Sequence, residues 1–298
     1  MRWAERCFDS LRKSTVKPDV FVVDNGSTDG TQAYIQEHYP EVMFKQSENN
    51  LGFGKANNIG LQYAIDNFYD YVYLLNQDAW VMEDTFERLV CLSKQYPDYG
   101  IFSPFQMNAD MYHIDRNFVS NVLEYKSNPN IVTDLYNQKL LEVYPVAVVM
   151  AAHWFLTLEC LIKVGGFSPS FPHYAEDYNY IDRLHYFGMK VGIVPSLKVV
   201  HDRGWREDDF PKKMQLLYTG FIKILSDPSM SVKKAFVLAT YSALLEMFKH
   251  KSFQPICRLI KALRYIRFIL NNRKLSISTE CAFLSKSDNS SSMLSKHS

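Results

Sequence analysis

Tyr69-Asp70-Tyr71-Val72-Tyr73-Leu74-Leu75-Asn76-Gln77-Asp78-Ala79 is the stretch whose reading decides the fold. Its first half is a β-branched and aromatic run that reads as a strand buried on both faces. A buried parallel strand ending in Asn76-Gln77-Asp78 opens its carboxyl edge on something polar, and in open α/β sheets ligands bind at that edge. Asp78 is a hard oxygen ligand there, suited to an oxygen-bound Mg2+ or Mn2+ that carries a diphosphate. The same residues also make an ordinary strand-to-helix turn, with Asp78 capping a helix over 81–92. The stretch alone leaves both readings open.

Upstream, strands and helices alternate. Residues 3–13 place Trp3, Cys7, Phe8 and Leu11 at helical spacing, and 19–23 reads as a strand. Asp24-Asn25-Gly26-Ser27-Thr28-Asp29-Gly30 is a turn rich in helix-capping residues, followed by a helix over 31–38. A short strand over 42–45 precedes the loop around Gly52-Phe53-Gly54-Lys55, and a helix to about 67 leads into the central strand. This alternation predicts a parallel α/β sheet.

Downstream, the pattern predicts a helix over 83–96 and a strand over 100–105. Residues 106–142 are polar and irregular, an edge hairpin or an acceptor-side loop. A strand over 146–151 and a helix over 156–164 follow, stopping at Gly165-Gly166. Tyr180, Ile181, Leu184 and Phe187 form the apolar stripe of a helix that starts at Glu176-Asp177 and stops at Gly188. Two short strands, 190–194 and 198–200, end at His201-Asp202. Helices are predicted over 211–226 and 232–248.

Composition narrows the class. A hydrophobic content of 47% with 22% charged residues fits a globular protein, and a net charge of +1 gives no argument for nucleic acid. The high aromatic content points to large packing surfaces, or to a sugar-stacking site. Five scattered cysteines with no CxxC or Cys/His spacing argue against structural zinc and favour a reducing compartment. No apolar segment follows Met1-Arg2-Trp3, so no signal peptide is expected there. Pro145, His153 and Glu159 interrupt the apolar run 143–162, which therefore reads as strand then helix rather than a membrane span. Residues 249–274 carry eight Lys and Arg and no Asp or Glu, with Ile256, Leu259, Ile260, Leu263, Ile266 and Leu270 at helical spacing. Such a helix lies on an anionic membrane surface or packs on the domain with a solvated basic face.

Candidate chemistry sits at the loops. Asp24, with Asn25 and Ser27 beside it, is placed to accept from a nucleobase N–H or a ribose hydroxyl, unless the segment is simply a turn. The Gly52-x-Gly54 loop lacks the third glycine of a dinucleotide fingerprint, since Asn57 stands there, and lacks a P-loop lysine signature. It still brings backbone N–H groups and Lys55 near a phosphate at a helix start. Glu176-Asp177 is either a helix-terminal cap or a general base. His201 is either a metal ligand or a core histidine.

Together these segments resemble one family. Val22 to Thr31, with its Asp24-Asn25-Gly26-Ser27-Thr28-Asp29-Gly30 centre, resembles the opening motif of the family 2 glycosyltransferases, inverting enzymes of GT-A fold. Asn50-Leu51-Gly52-Phe53-Gly54-Lys55-Ala56-Asn57-Asn58-Ile59-Gly60 looks like their second motif, and Leu74-Leu75-Asn76-Gln77-Asp78 resembles their metal-binding DxD region. Gly165-Gly166-Phe167, Glu176-Asp177, Arg183, Gly188 and Val200-His201 follow in family order. The resemblance, closest to a rhamnosyltransferase-like, polysaccharide-biosynthesis branch, covers residues 1–205.

It implies a mixed, mostly parallel GT-A sheet flanked by helices; beyond it, the residue pattern itself predicts a helical, basic extension over 206–274 and a disordered tail over 275–298. The resemblance implies transfer from a nucleotide-diphosphate sugar to a glycan or lipid-linked acceptor hydroxyl, with a divalent metal, at the cytoplasmic face of a membrane. In its terms Asp24, Asn25, Ser27, Gly52, Gly54, Lys55, Asn57 and Asn76 bind donor, Asp78 and His201 face the metal, and Asp177 with Glu176 supplies the base. Two departures stand out: Asn76 replaces the first Asp of DxD, and the family's first apolar strand does not precede residue 3. The expectation is an N-terminally truncated domain that is less stable and binds donor poorly, so an impaired binding or scaffold protein is the alternative. A version extended upstream with equal donor affinity and melting temperature would refute it.

Overall fold

The computed structural model describes residues 2–123, 128, 130–203 and 209–284. Helix α1 (Ala4–Lys13) leads to β1 (Phe21–Asp24), α2 (Thr31–His38), β2 (Met43–Gln46), α3 (Phe53–Asp66) and β3 (Tyr71–Leu75). Then come β4 (Ala79–Trp80), α4 (Thr85–Gln95), β5 (Tyr99–Met107), α5 (Arg116–Phe118), a π-helical turn (Val119–Leu123) and α6 (Ile131–Tyr136). Strands β6 (Tyr144–Val146) and β7 (His153–Thr157) precede α7 (Leu158–Val164), α8 (Glu176–Tyr186) and the long β8 (Lys190–His201). Helices α9 (Phe210–Ser226), α10 (Val232–His250), α11 (Gln254–Arg264) and α12 (Ile266–Ser278) follow.

The main sheet runs β3-β7-β5-β8-β4, with β6 also on β8. Strands β5 and β8 pair in parallel, whereas β3–β7, β5–β7, β4–β8 and β6–β8 are antiparallel. Strands β1 and β2 pair in parallel as a separate two-stranded sheet. The sheet is therefore mixed, as expected, but its parallel share is smaller than the strand–helix alternation implied. The central run 69–79 is corrected with it. Among the described residues β3 pairs only with β7, at one edge, and it is only partly buried. The chain turns at 76–78, where Ala79 N–H donates to Asn76 O at 3.2 Å. Asp78 caps no helix, because α4 starts at Thr85 behind Asp84.

The predicted strands at 190–194 and 198–200 are one strand. Its register on β5 jumps from Pro104↔Val194 to Phe105↔Lys198, so Pro195 sits in a bulge, where a strand tolerates a residue without an N–H. The predicted strand at 146–151 is displaced to β6 and β7, and the predicted irregular stretch 106–142 contains α5, the π-helical turn and α6. The single basic helix over 249–274 is two helices meeting at Tyr265. Residues 275–284, expected in a disordered tail, are the end of α12 and a set of turns. Cys281 N–H donates to Ile162 O at 2.7 Å there, and Gly166 N–H to Ala282 O at 2.8 Å. The rest of that tail, 285–298, lies outside the described residues.

The chain divides into two compact units. The first comprises Met1–Leu51, Tyr63–Cys160 and Met189–Trp205; the second comprises Gly52–Gln62, Leu161–Gly188 and Arg206–Ser298. In the first, α1, α2 and both sheets share an apolar cluster that includes Phe8, Leu11, Ile35, Tyr39, Phe86 and Val199. In the second, α9 to α12 close around Tyr218, Phe221, Ile222, Leu225, Leu259 and Ile269. Among the described residues the five cysteines form no disulfide.

Candidate functional site

The first unit contains a polar corner built by β4 and β8. Ala79 lies opposite His201 in the antiparallel register, and Asp202 N–H donates to Asp78 O at 2.8 Å. That pairing brings His201 Nε2 to 3.5 Å from Asp78 Oδ1. The distance is long for a hydrogen bond, and neither ring nitrogen of His201 has a hydrogen-bond partner although the residue is 1% exposed. Burial opposes ionisation of Asp78, yet the His201 ring beside it and backbone donation hold its carboxyl below the usual value. Asp78 thus stays ionised beside a buried ring whose nitrogens have no hydrogen-bond partner.

The surroundings of this corner escaped sequence reasoning. Trp3 on α1 donates its indole N–H to Asp202 Oδ2 at 2.8 Å. His153 on β7 is fully buried, and burial drives its pKa down to about 3, so the ring is neutral. A neutral ring donates from Nε2 to Val200 O at 2.9 Å and accepts the Tyr73 hydroxyl at Nδ1, 2.8 Å away. These bonds tie β3, β7 and the end of β8 together immediately before His201. A histidine inside the apolar run Ala151-Ala152-His153-Trp154-Phe155 was the available sequence signal. Burial, with the Asp78 charge nearby, pushes the Cys7 thiol up to about 12, which makes it a packing residue. Trp154 is a core residue whose indole donates to Val149 O at 3.2 Å.

The Asp24 turn also belongs to the first unit. Asp24 is buried, and its Oδ2 accepts Ser27 N–H at 2.8 Å. Asn25 is committed to the next loop: its Oδ1 accepts Leu51 N–H at 2.7 Å and its Nδ2 donates to Asn50 Oδ1 at 3.1 Å. Gly26 has φ +83°, and a Cβ there would meet the Asn49 backbone at 3.1 Å. Gly26, Ser27, Thr28, Gln46, Ser47 and Glu48 line a cleft of about 250 Å³ beside the turn. Asn76 lies at the end of β3, where its N–H donates to Ala152 O at 3.2 Å. Strands β1 and β3, which carry Asp24 and lead to Asn76 and Asp78, share one apolar cluster through Val22, Tyr73 and Leu75.

The second unit carries the remaining candidates. α3 starts at Phe53, with Lys55 exposed in its first turn. Gly52 has φ +80° and lies so close to Pro172 O that a Cβ would stand 2.8 Å from it. A Cβ on Gly54 would meet Phe167 Cβ at 3.0 Å and Glu176 Cβ at 3.9 Å. These glycines therefore serve packing between the starts of α3 and α8, a role the sequence pattern alone did not separate from phosphate approach. Asn57 donates to Phe53 O at 2.9 Å. Asn58 holds the Phe167 backbone from both sides, accepting its N–H at 2.6 Å and donating to its O at 2.9 Å. Arg183, fully buried, donates to Val164 O and Gly166 O, both at 2.7 Å, which fixes the glycine turn before Phe167.

Helix α8 starts under backbone strain. Tyr174 and Ala175 have φ of 71° and 67°, and Ala175 offers no side-chain cap. Successive left-handed non-glycine residues persist where surrounding structure holds them, commonly at functional sites. They position Glu176 and Asp177 in the first turn, where the helix terminus favours negative charge. Glu176 is nevertheless so buried that its pKa rises to about 7, with Asp177 adding like charge, and its Oε2 has no partner. Asp177 is less enclosed. Two neighbouring carboxyls in unlike environments can divide acid and base roles.

Comparisons with known proteins agree with these motifs. Residues 2–145 match the model of the glycosyl transferase family 2. Over 219 residues the chain is 29% identical to an N-acetylglucosaminyl-diphospho-decaprenol L-rhamnosyltransferase of Mycobacterium tuberculosis, covering 67% of this chain and 71% of that protein. It is 27% identical over 234 residues to a chondroitin synthase of Escherichia coli, covering 76% of this chain but 30% of that protein. Among solved structures, S. aureus TarS 1-349 in complex with UDP-GlcNAc aligns with TM-score 0.53 and 15% identity, over 93% of this chain and 80% of that one. GalNAc-T7 with UDP, GalNAc and Mn2+ aligns with TM-score 0.54 and 14% identity, over 74% of this chain and 45% of that one.

Proposed function

We propose that the protein transfers a hexosyl or deoxyhexosyl group, with inversion, from a nucleotide-diphosphate sugar to an acceptor hydroxyl; the match of residues 2–145 to the glycosyl transferase family 2 model and the GT-A fold support this. The acceptor is a glycan or a lipid-linked sugar of cell-surface polysaccharide synthesis. The rhamnosyltransferase relative, named for a lipid-diphosphate acceptor, supports that choice. The setting is the cytoplasmic face of a membrane; among the described residues no helix is long and apolar enough to cross one.

Asp24 and the cleft beside it hold the nucleoside, helped by Asn25, Ser27 and Asn76. Lys55 and the backbone at the start of α3, with Gly52, Gly54 and Asn57, would bind the phosphates. Asp78 and His201 would hold a divalent cation. The orphaned, buried ring nitrogens of His201 beside an ionised Asp78 fit that assignment and are the observation that carries it. Among the described residues no cluster supplies three side-chain ligands, so donor phosphates and water would complete the shell. When bound, the cation stabilises charge on the departing diphosphate.

Asp177 takes the proton from the acceptor hydroxyl as its oxygen attacks the anomeric carbon. The bond to the leaving phosphate oxygen breaks, and that oxygen keeps the electron pair. Glu176, neutral below about pH 7, spares Asp177 a second adjacent negative charge. The test is transfer from a panel of nucleotide sugars with Mn2+, reading product anomeric configuration by NMR. An inverted product that Asp177→Asn abolishes, with donor affinity kept, is the expected result. Full transfer by Asp177→Asn rules out the assigned base, and no transfer with any donor favours a binding or scaffold role.

A further inference from the structure

Helix α10 is built inside out. Its inward face is Ala235, Ala239 and Ala243, each no more than 1% exposed against the helical cluster. Its outward face carries Val237 (70% exposed), Tyr241 (58%), Leu244 (42%), Leu245 (51%) and Phe248 (72%). Spacings of three, four, seven and eleven residues put these five on one stripe of the helix, opposite the alanines. A helix that points its small residues at the core and its large apolar ones at solvent lacks the partner that the large ones serve. Past the end of α10, Phe253 is 77% exposed as well. Contiguous apolar surface of this kind on a folded domain marks an interaction site.

Charge identifies the partner. Residues 232–278 contain ten Lys and Arg and one acid, Glu246. That acid is already matched by Lys249 at 3.2 Å and His250 at 3.1 Å. Lys234 shares the outward stripe by spacing, and the exposed Lys249 and Lys251 lie between Phe248 and Phe253. Aromatic and aliphatic side chains interleaved with lysines, with no free acid, match a surface that is apolar beneath and anionic above. A second copy of this chain would bring the same lysines against one another, which is repulsive.

We propose that the outward face of α10 and the turn to Phe253 form a docking surface for an anionic lipid bilayer. Val237, Tyr241, Leu244, Leu245, Phe248 and Phe253 enter the headgroup boundary, and Lys234, Lys249 and Lys251 contact lipid phosphates. This moves the membrane contact expected over 249–274 toward α10, and it stands independently of the transfer chemistry.

The test is cosedimentation of the full chain with phosphatidylcholine vesicles, with and without phosphatidylglycerol, at low and high salt. Tyr241→Ser/Phe248→Ser and Lys249→Gln/Lys251→Gln are compared with the parent, and their melting curves check folding. Expected are binding that requires phosphatidylglycerol and weakens with salt, and a loss of roughly fivefold per lysine neutralised. The serine pair loses at least roughly tenfold, because the buried apolar area sets the rest of the affinity. Equal binding to both vesicle types overturns the proposal, as does no vesicle binding or full binding by the folded serine pair. A doubled mass in solution that the serine pair abolishes overturns it in favour of a second copy.

Discussion

Replacing Glu176 with Gln removes one titration and leaves the shape of the side chain. In the folded protein burial raises the Glu176 carboxyl from 4.5 to about 7, with the Asp177 charge adding to it. The native state then holds a proton between those pH values that the unfolded chain has released. Stability contributed at this site is fully present below about pH 4.5 and is lost as pH rises toward 7. At about 1.4 kcal/mol per tenfold change in the proton equilibrium, ionising it in place costs roughly 3 kcal/mol. Glutamine cannot ionise, so the stability of Glu176→Gln relative to the parent climbs by about that amount between pH 4.5 and pH 8. For a chain of this length that is a relative gain of about 5 °C in melting temperature. Thermal melts of both proteins at half-unit pH steps give the difference curve, in which titrating groups that do not interact with Glu176 cancel. A curve that is flat from pH 5 to pH 8, or that falls, refutes the buried-carboxyl account of α8. If Asp177 is the base, the same variant also retains transfer.

Further outcomes follow from single contacts. His201→Ala weakens Mn2+ binding, read by titration calorimetry, at least roughly tenfold; unchanged affinity removes His201 from the metal site. Gly165→Ala costs roughly 2–5 kcal/mol in urea unfolding, since the residue has φ +79° and its Cβ would lie 2.2 Å from Ala282 O. A cost near zero shows that the turns at 281–284 do not pack there. Trp3→Phe costs roughly 1–2 kcal/mol through the lost bond to Asp202, and an unchanged melting curve denies α1 that role.

Local chemistry made much of this molecule legible. Gly30 before Thr31 marks the start of α2 and Gly188 the end of α8, and the expected helices lie within a few residues of the observed ones. What escaped depends on partners distant in sequence. Nothing in Tyr71-Val72-Tyr73 announces that β3 is an edge strand, because its antiparallel neighbour β7 comes about eighty residues later. Pro195-Ser196 looks like a break between strands, and only the register on β5 makes it a bulge. No glycine or proline marks Tyr265, where α11 gives way to α12. At the site, Asp78 and Glu176-Asp177 were legible as carboxylates at element ends. The orphaned nitrogens of His201, the His153–Tyr73 bracing and the packing role of Gly54 required three-dimensional neighbours.

The account rests on one donor site made by the Asp24 turn and the Asp78–His201 corner. Its most direct test is calorimetric titration of uridine, guanosine and deoxythymidine diphospho-sugars into the protein, with and without Mn2+, and into Asp78→Asn. The account predicts that one of these donors binds with Mn2+ and loses at least roughly tenfold in affinity without the metal or in Asp78→Asn. Donor binding that ignores both Mn2+ and Asp78→Asn, or no binding of any donor, contradicts it.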